Sequence, residues 1–155
     1  MATKTSFSAE EWKRVKDAPL LAGLGISALD FGLVSFAKEM RAVIKEVNAA
    51  RGTYATNELI QSVASDLEQK DSGEPLGDGE KKTPEQILRE LASIGALVDS
   101  KAAPAEAREF KTFLFGVSER TANASGSGFL GFGEKVSPEE RTFLDQLRTS
   151  LSLDA

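Results

Sequence analysis

The amino-acid sequence predicts an all-α, single-domain bundle of about seven helices. Three observations carry that expectation. Helix starts are written in capping residues, apolar residues recur at the three- and four-residue spacing of one helical face, and no segment alternates like a strand. A chain of 155 residues has the size of one domain. Its 41% hydrophobic and 28% charged residues allow a sizeable core beneath a charged surface.

Ser8 and Glu11 form a capping box that opens the first helix, with Phe7 and Trp12 at the two ends of a hydrophobic staple. This helix is expected to stop near Asp17, because Pro19 disfavours the helical conformation at Ala18. Pro19 then suits the first turn of a second, apolar helix running from Leu20 to about Leu29. The apolar stretch Ala18 to Ala37 approaches the length of a membrane span. Pro19, Gly23, Gly25, Gly32 and Asp30 interrupt it, and a charge near the middle costs roughly 2.5–3.5 kcal/mol on insertion. A buried hairpin of helices, broken at Asp30-Phe31-Gly32, is the better reading.

The third helix is expected to run to about Ala50, with Leu33, Phe36, Ala37, Met40, Ile44 and Val47 on its buried stripe. Gly52 suits the left-handed residue that ends it. A fourth helix, about Thr56 to Gln69, buries Leu59, Ile60, Val63 and Leu67. Lys70 to Lys82 is dominated by Gly, Pro and charge and reads as a solvated loop. Thr83-Pro84-Glu85-Gln86 caps a fifth helix that buries Ile87, Leu88, Leu91, Ile94 and Val98. Pro104 opens the sixth, with Ala107, Phe110, Phe113, Leu114, Val117 and Thr121 along one side. Ser137-Pro138-Glu139-Glu140 starts the last, through Phe143, Leu144, Leu147 and Leu151. Each half holds an aromatic-led helix, led by Trp12 or Phe110, then a glycine-containing turn and a helix with an early Glu. That order fits two related helical hairpins, and equally a chance alignment of amphipathic segments.

Two absences bound the chemistry. The chain has no Cys and no His, which excludes disulfides, thiol nucleophiles, zinc sites built on those residues and a Ser–His–Asp triad. Catalysis would have to use carboxylates, Lys, Arg, Tyr54 or Ser/Thr. A metal would have to be a hard, oxygen-seeking cation such as Mg²⁺ or Ca²⁺; no other cofactor is expected. The net charge is −5, and Lys and Arg are interleaved with acids, so nucleic acid is not an expected partner. Met1 to Phe7 has no apolar run behind Lys4 and does not read as a signal peptide; the expected location is the cytoplasm.

The most distinctive segment is Gly126-Ser127-Gly128-Phe129-Leu130-Gly131-Phe132-Gly133. It contains a literal G-x-G-x-x-G, but dinucleotide chemistry needs a strand before that motif and a helix immediately after it. Here a helix precedes it, and the next opens only at Ser137. Two readings remain: Phe129, Leu130 and Phe132 plug the bundle, or they form an exposed patch for a protein partner or a second copy. Among the carboxylates, Glu106 and Glu109 share a helical face, as metal ligands do in MazG-like pyrophosphohydrolases. The second Glu-x-x-Asp pair those enzymes require is missing, which weighs against a Mg²⁺-dependent phosphohydrolase. Glu139 and Glu140 suit the first turn of a helix, and Asp71, Glu74, Asp78 and Glu80 miss the spacing of an EF-hand.

The Asp30-x-Gly32 turn, leading into a helix with an early Glu39, resembles the TerB-like tellurite-resistance domains, which are all-helical. That resemblance implies divalent-metal binding and stress-response complexes rather than catalysis, with Asp30 and Glu39 as ligands. In the second half Ser125-Gly126 stands where an acid is wanted, and Glu140 matches the helix Glu. The Gly-Phe-Leu-Gly-Phe-Gly segment is similar to loops of small bacterial helical proteins, which imply no activity. The expectation is therefore a non-enzymatic helical interaction domain. It acts on a protein partner or by self-association, with a carboxylate metal domain (Asp30, Glu39, Glu140) as the alternative.

Overall fold

A computed structural model describes residues 2–29, 33–69, 82–125 and 136–153. Among them are a short 3-10 turn, Lys4–Ser6, and six α-helices: α1 (Ala9–Ser27), α2 (Leu33–Thr53), α3 (Glu58–Gln69), α4 (Pro84–Lys101), α5 (Pro104–Ser125) and α6 (Pro138–Ser150). The described residues contain no strand, and none of their helices is long and apolar enough to cross a membrane.

The three capping boxes form as expected. Ser8, Thr83 and Ser137 each accept a bond from the third helical N–H, while Glu11, Gln86 and Glu140 reach back to the cap's own N–H. The staple forms too, with the Phe7 and Trp12 rings 5.9 Å apart.

The helix count falls by one because Pro19 does not end a helix. It sits inside α1, where it removes one backbone hydrogen bond and crowds the carbonyl one turn back, a cost of about 3 kcal/mol. Burial on every side offsets that cost. Ala18, Leu21, Ala22, Leu24 and Ile26 are all buried, and α1 touches α2, α3, α4, α5 and α6. The second half of α1, residues 18–26, is apolar all round, and such a stretch belongs in the middle of a bundle.

Two details of α2 also depart from the sequence pattern. Val43 is fully buried and Ile44 is 52% exposed, so the inward face runs through Val43, Val47 and Ala50 instead of Ile44. The side chain of Val43 lies over Gly23 of α1, which has no Cβ to hold the helices apart, and this close approach sets the rotation of α2. The helix also runs through Gly52 to Thr53. Just past that end, a side chain from α3 ties the following turn down: the Gln61 amide donates to the carbonyls of Arg51 and Tyr54, both at 3.0 Å.

The remaining apolar positions on α3 to α6 fall where the periodicity places them, with Leu67 only half-buried. α1 and α5 run side by side in one direction: Ala2, ahead of α1, bonds Glu106 in the first turn of α5, and Ala22 bonds Ser118 towards its end. Phe143 of α6 packs on Gly25 of α1. The chain therefore leaves α1 and α5, and enters α2 and α6, at one end of the bundle.

Candidate functional site

That end is built from small residues. Gly23 seats Val43 and lies beside Thr121, and Gly25 seats the ring edge of Phe143. The buried Ser118 hydroxyl donates to the Ala22 carbonyl at 2.7 Å, tying α5 to α1. The buried Thr121 hydroxyl donates back to Val117 of its own helix, also at 2.7 Å. Small groups and internally satisfied hydroxyls let α2, α5 and α6 approach the last turns of α1 closely.

Of the expected metal ligands, Asp30 lies outside the described residues, and so does the side chain of Glu39, whose backbone is in α2. Glu140 is buried, and its carboxylate accepts the Ser137 N–H at 3.1 Å. Among the described residues no three acidic side chains are grouped to hold a cation. Phe129, Leu130 and Phe132, with the whole of Gly126 to Gly133, lie outside the described residues, as do Asp71, Glu74, Asp78 and Glu80. A comparison with protein-family models, curated proteins and solved structures returns no match to this chain. The site is read from its own chemistry.

The opposite end holds a polar cluster that the sequence pattern only half disclosed. Asn57 is 2% exposed and caps α3, its Oδ1 accepting the Ile60 N–H at 3.0 Å. Its Nδ2 donates to Glu109 Oε2 at 2.8 Å and to the Glu106 carbonyl at 3.2 Å. Both amide N–H donors and one lone pair of the oxygen are thereby used. The Glu106 carboxylate, buried beside it, accepts the Ala2 N–H at 2.7 Å. Glu106 and Glu109 do share a face, but the structure engages them with Ala2 and Asn57. An Asn just ahead of a helix was a legible capping signal; its second role across to α5 was not.

Tyr54 sits beside this cluster with its ring edge-on to Phe113, centroids 6.3 Å apart. Burial, then the nearby charges of Glu109 and Glu46, raise its phenol above the ordinary tyrosine value, so it stays neutral. Arg120 lies 3.8 Å from Glu46 on the same α2–α5 seam. On the other side of the molecule, Leu88, Arg89, Asp145, Gln146 and Thr149 help line an open groove of about 700 Å³ between α4 and α6. Its mixture of both charge signs with neutral polar groups favours no ligand charge.

Proposed function

We propose that the chain is a non-enzymatic, cytoplasmic interaction domain. Its contact surface is carried where the chain passes from α1 to α2 and from α5 to α6. The observation that supports this reading is the close packing of α2, α5 and α6 on the last turns of α1, where Val43 and Thr121 meet Gly23 and Phe143 meets Gly25. Residues 30–32 join α1 to α2, and residues 126–135, with Phe129, Leu130 and Phe132, join α5 to α6. An apolar, glycine-spaced segment so placed suits a protein partner or a second copy of this chain. Sedimentation of the wild type against Phe129→Ser/Phe132→Ser tests the proposal.

A second reading, a divalent cation held by Asp30, Glu39 and Glu140, is favoured by one observation. Glu140 is buried in the first turn of α6, one turn before the Phe143 that packs on the last turns of α1. Thermal melts in Mg²⁺, Ca²⁺ and Mn²⁺ decide it. A cation at about 100 times its Kd adds about 2.7 kcal/mol, and at this chain length each kcal/mol raises Tm by about 2–4 °C. A flat melting temperature across all three ions sinks it. The Mg²⁺-dependent phosphohydrolase draws no support from Glu106 and Glu109, which bond Ala2 and Asn57.

A further inference from the structure

Residues 2–7 lie across the end of the bundle away from the proposed contact surface. They are attached differently from any helix. Two side chains, Ala2 and Phe7, are buried; between them Lys4 and Thr5 are exposed. Every other link to the bundle runs through a charged group. The Ala2 N–H donates to Glu106 of α5 at 2.7 Å. Lys4 pairs with Asp66 of α3 at 3.1 Å. Lys101, at the end of α4, donates to the Ser6 carbonyl at 3.2 Å, pairs with Glu11 at 3.1 Å and stands over the Phe7 ring. Under this crossing lies Trp12, 5% exposed, its ring beside Phe7 and its indole N–H donating to Asp66 at 2.8 Å.

We propose that residues 2–7 are a releasable strap that opens as a unit, ahead of the helices, when the two carboxylates that hold it through lysines, Asp66 through Lys4 and Glu11 through Lys101, are neutralised. Opening uncovers Trp12 and the Asn57–Glu106 seam while the six helices stay packed. The physical reason is an imbalance of supports. The helices are held by a continuous apolar core, whereas the strap has two buried side chains and a set of carboxylate bonds, the pattern of a segment at the low end of local stability. The groups facing these carboxylates are Lys4, Lys16 and Trp12 around Asp66, and Ser8 and Lys101 around Glu11; the Glu106 carboxylate accepts the Ala2 N–H.

The sign follows from the anchors. Burial alone would raise the Asp66 carboxyl, but the Trp12 indole and the Lys4 ammonium outweigh it and hold it below the ordinary aspartate value. The Ser8 N–H and Lys101 likewise hold Glu11 low. A carboxyl lowered by folding contributes above its unfolded value, and the contribution disappears as pH falls through the folded one. Release therefore belongs to the acid side of about pH 4.

Trp12 is the sole tryptophan, so its emission reports the strap directly. In an acid titration followed by fluorescence, far-UV circular dichroism and amide exchange, Trp12 emission is expected to shift red at a pH where the helical signal is still intact. Protection of the Phe7 amide is expected to fall in the same step. In Glu11→Gln, which keeps the shape of the anchor and removes its charge, both changes are expected to move to higher pH without a matching move of the helical transition. Simultaneous loss of all three signals, or a Trp12 shift with the Phe7 amide still protected, overturns the proposal.

Discussion

Asn57→Ala is expected to lower the stability of the chain by about 2.5–4 kcal/mol, the sum of a lost helix cap at about 1 kcal/mol and a lost charge-assisted bond at about 1.5–3 kcal/mol. One amide does both tasks. Its oxygen caps α3 through Ile60, and its nitrogen crosses to Glu109 and the Glu106 carbonyl of α5. Asn57→Asp separates them. The carboxylate can still accept from Ile60, and its charge suits a helix N-terminus. It cannot donate to Glu109, and it sets two negative charges where a hydrogen bond stood. Asn57→Asp should therefore fall between wild type and Asn57→Ala, and its deficit should shrink on acidification as the new repulsion is neutralised. Chemical denaturation at two pH values measures both effects. A loss in Asn57→Asp as large as in Asn57→Ala, unchanged by pH, would show that the cap was not preserved.

The same substitution at two glycines is expected to have opposite signs. A methyl added at Gly25 meets the Phe143 ring, with ring carbons at 3.0 and 3.1 Å besides a closer one, whereas a methyl at Gly52 meets nothing within 4 Å. Replacing a helical glycine by alanine gains about 1 kcal/mol of backbone preference, and Gly52→Ala should show that gain. At Gly25 the added methyl must push α6 from α1 or force the ring out of its place. Overpacking of this kind costs about 1–3 kcal/mol, so Gly25→Ala should be net destabilising, and Gly25→Leu more so. Melting temperatures are expected to rise for Gly52→Ala and fall for Gly25→Ala. A rise in both would mean that the approach of α1 to α6 is looser than the Gly25–Phe143 contact implies.

These residues also show what was legible in the sequence. Helix starts are local chemistry, completed within four residues, and the boxes at Ser8, Thr83 and Ser137 form as written. The apolar faces of α4, α5 and α6 are spaced regularly enough that their core positions follow from periodicity. The departures all come from tertiary packing. Pro19 stays inside α1 because burial on all sides outweighs one missing bond, and no local rule contains that burial. Val43 replaces Ile44 in the core because of Gly23 on another helix. Gly52 remains helical where Gln61, from α3, binds the Arg51 and Tyr54 carbonyls on either side of the helix end. Site residues obey the same division. The Ser137–Glu140 bond was readable, and the pairing of Glu109 with Asn57 was not, since it joins positions far apart in the chain.

The most direct test of the interaction surface is sedimentation equilibrium of wild type and Phe129→Ser/Phe132→Ser over a range of concentrations, alone and with any candidate partner protein, paired with melts of both proteins. The account predicts that the wild type associates, with itself or with the partner. The variant is expected to lose that association and keep its melting temperature, because the buried side chains of the core, from Phe110 to Leu147, are untouched. An unchanged assembly state together with a large fall in melting temperature would contradict it, and would place the two phenylalanines inside the bundle as packing residues.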